Sequence, residues 1–256
     1  MRIAIIGGSG VYDIALLESR EEIIKTEYGA ANITKGQYGD REIVFLARHG
    51  KGHGIPPHKI NHRANIAALK ALGVERIIGT TAVGGINSSM KPGDFILLDQ
   101  FLDFTKQTLT FHDEEVAHIE MTNPYCPGLR KIILQASKAL EMSLHEKGTY
   151  VCVEGPRFET SAEIQMFALL GGDVVGMTVA KECILAREVG ICYAAIALVA
   201  NPAAGISYEE PGIRQIISFM ESKQERLSKL LRKTLSILPE ERSCECGDKP
   251  DRASIC

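Results

Sequence analysis

Several apolar runs in this sequence end on residues suited to holding an oxyanion. The first run closes on Gly7-Gly8-Ser9-Gly10, a glycine-rich turn in which backbone N–H groups can converge on an anion while Ser9 adds a hydroxyl donor. The second closes on Arg48-His49-Gly50, which joins a planar guanidinium fork to an imidazole donor. The third runs into Thr80-Thr81-Ala82-Val83-Gly84-Gly85, and Val174–Met177 delivers Thr178 just before a helical pattern. Any one of these alone reads equally well as a turn or a solvated strand end. Four together, without a lysine-bearing phosphate loop, are explained most economically by convergence on one phosphate-sized anion.

Other chemistries fit poorly. A dinucleotide fingerprint needs a third glycine three residues after Gly10, and Asp13 stands there. His58 and His62 are four residues apart and His53 is close, but a zinc site needs a further ligand at suitable spacing, so no metal is expected. No G-x-S-x-G elbow is present, which leaves covalent nucleophilic catalysis without support.

The elements that must position these residues alternate between two periods. Strands are expected at Arg2–Ile6, Ile43–Ala47, Arg76–Thr80, Phe95–Leu98, Thr149–Val153, Val174–Met177 and Ile191–Ala200. Several are apolar on consecutive residues, which suits strands covered on both faces. Helical spacing marks Ile60–Leu72, Leu129–Leu140, Ala162–Leu170, Glu182–Val189 and a last stretch over Tyr208–Ile237, with Ile216, Met220, Leu227, Leu230, Leu231 and Leu235 on one side. This alternation predicts an α/β domain around a largely parallel or mixed sheet. One domain over residues 1–239 is expected, followed by a cysteine-containing tail over 240–256 that frays.

Composition narrows the class. The chain has 256 residues, 45% hydrophobic and 24% charged, with a formal net charge of -3, so neither a basic nucleic-acid groove nor a polybasic membrane anchor is indicated. No uncharged apolar run approaches the roughly 20 residues that span a bilayer. The start, MRIAIIGGSG, enters a strand at once, so a cytoplasmic protein is expected. Of seven cysteines, Cys126, Cys152, Cys183 and Cys192 read as buried small hydrophobes, while Cys244, Cys246 and Cys256 fall in the tail; disulfide pairing among them stays open.

Longer motifs carry a resemblance. GGSG, RHG, PHKINHRANI, TTAVGGIN, PGDFILLDQFLD, VEGPRFET, GMT and LAREVGICY occur in order between Arg2 and about Leu238, and together they resemble the purine nucleoside phosphorylase and methylthioadenosine phosphorylase family. The resemblance implies a single-domain nucleoside phosphorylase-like fold, a central mixed β-sheet flanked by helices. It assigns phosphate binding to Ser9, Arg48, His49, Thr81, Ala82 and Thr178, the same residues that suggest an anion site. It places Phe158 against the nucleoside and the Met177 backbone at the ribose hydroxyls. It implies a homotrimer or a dimer of trimers, with His118, eight residues before Cys126, lent to a neighbouring subunit's 5′ pocket.

The family divides on the purine it accepts. Members acting on adenine nucleosides carry a D-x-D pair where this sequence has Asn201 and Ala203. Asn201 and Glu159 instead resemble the pair used for 6-oxopurines. The Asn201 amide can donate to O6 while its carbonyl accepts from N7–H, and Glu159 can accept from N1–H; adenine, whose N1 is itself an acceptor, suits neither. The expected reaction is phosphorolysis of inosine, guanosine or 5′-methylthioinosine, with Asn201 catalytic, inorganic phosphate as co-substrate, and no cofactor or metal. An apolar helix start around Ile213 and Ile217 leaves the 5′ substituent open. A methylthioadenosine phosphorylase is the nearest rival, and a non-catalytic nucleoside-binding protein a remote one. Lys181 stands where the family commonly has proline and is expected to face solvent.

Overall fold

Strands and helices alternate as β1 (Arg2–Gly7), β2 (Leu17–Thr26), β3 (Gly29–Tyr38), β4 (Arg41–Ala47), α1 (His62–Ala71), β5 (Val74–Gly85), β6 (Phe95–Leu97), β7 (Gln100–Asp103), α2 (Pro127–Ala139), β8 (Thr149–Cys152), α3 (Ser161–Leu169), β9 (Val174–Gly176), α4 (Val179–Glu188), β10 (Cys192–Pro202) and α5 (Ile213–Ile237). This computed structural model describes residues 2–7, 17–207 and 213–247. Gly8, Ser9, Gly10, Asp13 and Cys256 lie outside the described residues, as do the side chains of Ile213, Ile216, Ile217 and Met220.

The sheet is mixed. β1 lies between β4 and β5, parallel to both, and β10 lies parallel on the other side of β5. β2 and β3 extend one flank as an antiparallel hairpin, and β9, β8 and β7 extend the other, with β9 antiparallel to the end of β5. One face is covered by α1 and α4, which pack Ile66, Leu69, Val179 and Cys183 near Ala4, Ile6 and Tyr193. On the other, α2 and α5 press Ile133, Leu230, Leu231 and Leu235 onto Ile3, Ile5 and Ile196. Burial on both faces explains why β1 and β10 are apolar on consecutive residues.

Four strands differ from the sequence expectation. The β2–β3 hairpin carries Glu21, Glu22 and Lys25 on an edge strand, where charge blunts further pairing but erases the apolar alternation that marks a strand. β7 has four residues, none of them buried, and gains its place by parallel pairing with β8. β5 runs on to Gly85, so Thr81 and Ala82 sit within the strand and not past its end.

The described part of the tail is packed, which corrects the expectation that it frays. Arg76 is buried and donates to the carbonyls of Pro239, Glu240 and Glu241, Arg242 donates to Gly190 O at 3.1 Å, and Cys246 is buried.

Candidate active site

β4, β5, β9 and β10 deliver their site residues to one cavity of about 300 Å³. Arg48 and His49 follow β4, Thr81 and Ala82 come from β5, Met177 and Thr178 follow β9, and Asn201 is near the end of β10; Phe158, Glu159 and His53 are also in the lining. β10 slips register against β5 between Val199 and Asn201, leaving Ala200 as an extra residue. A bulge of this kind re-aims the side chain that follows, and both Ala200 and Asn201 face the cavity. Of the other expected site residues, Ser9 lies outside the described residues, and His118 is exposed in the loop before α2, away from the cavity lining.

Arg48 is a buried cation, not a solvated strand end. Its side chain is 1% exposed and grips Glu182, on the first turn of α4, through two hydrogen bonds: Nε to Oε1, and Nη2 to Oε2 at 2.9 Å. Nη1 donates to Thr80 O at 2.8 Å. A guanidinium has five N–H groups, so one remains on each terminal nitrogen for an anion. Burial opposes the Glu182 charge, yet Arg48, with help from His62 and a 2.6 Å hydrogen bond from the Tyr193 hydroxyl, outweighs it and holds the carboxyl below its usual range.

His49 is set up as a neutral imidazole. Its Nδ1 lies 2.8 Å from Ile55 O, which can only accept, so Nδ1 carries the proton and Nε2 is left to the ligand as an acceptor, not as the donor that the sequence suggests. Burial, followed by the charge of Arg48, pushes its pKa down to about 4. Thr178 is the N-cap of α4 but its side chain does not cap the helix, and its N–H donates to the Tyr150 hydroxyl at 3.0 Å. The positive end of α4 therefore meets the cavity together with Arg48, a favourable arrangement for an anion.

The opposite wall is organised by a clamp. Glu163, at the third position of α3, accepts from both terminal nitrogens of Arg157 at 2.8 and 2.7 Å and from Thr160 N at 2.7 Å, while the Thr160 hydroxyl accepts from Glu163 N. Phe158 and Glu159 are the two residues between these anchors, so their backbone is fixed on both sides. Burial raises the Glu159 pKa from its ordinary value. Gly155 has φ +69, and a Cβ there would stand 2.6 Å from the Met177 sulfur, so only glycine lets that loop close against Met177.

Lys181 departs from expectation. It is 3% exposed and donates to Glu154 Oε1 at 2.8 Å. The first turn of α4 is buried on every side, so no position on it reaches solvent. Sequence reading gave no site role to Glu163 or Glu182, and it weighed His53, which lines the cavity, only as a metal ligand. The capping pattern Thr160-x-x-Glu163 was a legible signal for the first; the partnership of Glu182 with Arg48 spans 134 positions and had none.

Residues 2–236 match the Phosphorylase superfamily, and the chain belongs to that family. It is 54% identical to the 6-oxopurine nucleoside phosphorylase of Pyrococcus furiosus over 96% of this chain and 97% of that one. It is 43% identical to the S-methyl-5'-thioadenosine phosphorylase of Thermofilum pendens over 100% of this chain and 99% of the other. Among solved structures, a methylthioadenosine phosphorylase from an antarctic soil metagenomic library superposes with a TM-score of 0.90 at 36% identity, covering 97% of this chain and 90% of that one.

Proposed function

We propose that the protein catalyses phosphorolysis of 6-oxopurine nucleosides, releasing the free base and a ribose 1-phosphate. The observation that carries this reading is that Asn201 and Glu159 line the same cavity as Arg48, His49 and Thr178. A base-reading amide and carboxylate thus face an anion cradle across a space of nucleoside size. The relatives named for 6-oxopurine nucleosides support the same choice.

In this mechanism phosphate sits beneath the sugar, held by the two free N–H groups of Arg48, the hydroxyls of Thr81 and Thr178 and the backbone at Ala82, while His49 Nε2 accepts from a protonated phosphate oxygen. Ser9 is assigned to the same ion. Holding the nucleophile in place makes attack on the anomeric carbon effectively unimolecular. The glycosidic bond breaks early, and phosphate charge stabilises the oxocarbenium-like sugar. Asn201 stabilises the departing purine as its charge develops, an interaction stronger in the transition state than in the ground state. Glu159 holds N1–H, Phe158 covers the nucleoside, and the Met177 backbone meets the ribose hydroxyls. No metal or organic cofactor takes part.

The working form is proposed to be a cytoplasmic homotrimer or dimer of trimers. Phe104, Met166, Leu169 and Leu170 are exposed apolar residues on and beside α3, with Phe104 stacked near Phe167 at 4.9 Å. The loop carrying His118 is pinned by Arg63 to Thr110 O and by Arg187 to Glu120 O, both at 3.1 Å, so His118 is presented outward. A neighbour's His118 would cover the 5′ side of the sugar.

Incubating the protein with inosine, with and without phosphate, tests the reaction. Hypoxanthine release that requires phosphate and yields equimolar ribose 1-phosphate is expected; phosphate-independent release with free ribose would mean hydrolysis.

A further inference from the structure

At the end of β5 and β10 remote from the cavity, Cys126, Cys192, Cys244 and Cys246 bring four sulfurs within 4.8 Å of one another. They come from three distant segments. Cys192 opens β10, Cys126 is the N-cap of α2, and Cys244 and Cys246 lie on the packed tail. Cys126 N donates to Tyr193 O at 2.8 Å, which seats the first segment on the second, and the hydrogen bonds of Arg76 to 239–241 bring in the third.

We propose that these four cysteines form a tetrathiolate site for a structural divalent cation of the zinc class. The Cys244 sulfur lies 3.5 Å from Cys126 Sγ and 3.3 Å from Cys192 Sγ, so one thiol faces two others and the four do not resolve into pairs. Sulfurs arranged tetrahedrally at about 2.3 Å from a zinc ion stand about 3.8 Å apart, close to this spacing. Cys244-Glu245-Cys246 is one residue tighter than the common C-x₂₋₄-C pair, and a 3₁₀ turn at Glu245–Gly247 accompanies it.

The surroundings suit thiolates. Cys126 Sγ accepts from Leu129 N at 3.4 Å, at the positive end of α2. Arg76 and Arg242 share a cleft with Cys126, Cys192 and Cys244, and offset the two negative charges that four thiolates leave around a divalent ion. Leu129, Ile132 and Leu238 line the same cleft and limit water. Binding forms four metal–sulfur bonds and releases four protons from the thiols, with no change of oxidation state.

Four protein ligands leave no open position, so the ion would staple the tail to the domain and take no part in turnover. Nine residue steps along extended β10 separate Cys192 from Asn201, about 30 Å at roughly 3.3 Å per step.

The test is the metal content of the full chain purified anaerobically, with a thiol count, followed by titration of the metal-free, reduced chain with Co²⁺ as probe. About one zinc per chain is expected, with 1:1 uptake of Co²⁺ and the intense visible absorption of tetrahedral cobalt thiolate. Cys244→Ser and Cys192→Ser should each cut that absorption at least tenfold, and Cys244→Ser should lower Tm without changing kcat/KM at moderate temperature. If a variant fails to fold, the titration of the unmodified chain still decides. A chain with four reduced thiols that takes up neither Zn²⁺ nor Co²⁺ overturns the site. So do two disulfides among these cysteines in a chain that, once reduced, still refuses both ions.

Discussion

Arg48 and Glu182 meet side by side in the interior, each with a side chain 1% exposed, so the cation that faces the cavity is held by a carboxylate as deeply buried as itself. The pair does two things at once: it fixes the guanidinium plane and it leaves two N–H groups for an anion. A residue that ends a strand, read from sequence, would be removable without harm to the fold. In the structure its removal strands a buried charge.

Arg48→Ala should therefore lose phosphate binding and stability together. Breaking a buried ion pair by deleting one partner costs about 3–5 kcal/mol. Urea unfolding should show that loss, and saturating inosine with rising phosphate should show no plateau within the accessible range. Glu182→Gln keeps the shape but loosens the fork, so its phosphate KM should rise more than its inosine KM. A stable, fully active Arg48→Ala would remove both arguments.

His62 sets an acid limit. It is 2% exposed, and burial, with Arg48 and Lys181 adding to it and Glu182 opposing, pushes its pKa from 6.5 down to about 4. The unfolded chain takes up a proton near 6.5 that the folded chain refuses until about 4, so stability falls as pH drops through that window. The loss amounts to about 3 kcal/mol for this group, and His49 adds to it in the same direction. Tm followed from pH 7 to 4 should decline, and less steeply in His62→Phe. Parallel curves for the two proteins would contradict this assignment.

Much of the fold was legible because burial on both faces writes itself into consecutive apolar residues. β1, β4 and β10 were readable that way, and α1 and α2 by the helical spacing of their apolar residues. The β2–β3 hairpin was not, since an edge strand protects itself with charge. At the site, Arg48, His49, Thr81 and Thr178 were visible as polar groups placed near strand ends, Asn201 only through the family resemblance, and the cavity collects them all. What local pattern cannot carry is pairing across the chain. Glu182 beneath Arg48, Glu154 beside Lys181 and the four gathered cysteines depend on contacts separated by 27 to 134 positions.

Glu163 is a positioning residue for the base. It ties Arg157 and Thr160 together around Phe158 and Glu159. Glu163→Ala should raise the KM for nucleoside several-fold while the KM for phosphate stays within twofold, because the anion cradle lies on other elements. Equal rises in both would point to general unfolding.

His118→Ala should alter discrimination between 5′-hydroxyl and 5′-methylthio substrates more than base preference. Mass in dilute solution, measured beside activity, checks the premise. A fully active monomer would refute a site shared between subunits.

The central claim is that Asn201 and Glu159 select a 6-oxopurine, and kcat/KM for inosine against adenosine at saturating phosphate tests it most directly. A site whose buried groups pair with one base and strand against another can discriminate by about 10⁴-fold. Inosine should be preferred by orders of magnitude, with Asn201→Ala losing about 10²–10³ in kcat, the usual cost of one preorganised donor. Equal kcat/KM on inosine and adenosine in the unmodified protein would contradict the account.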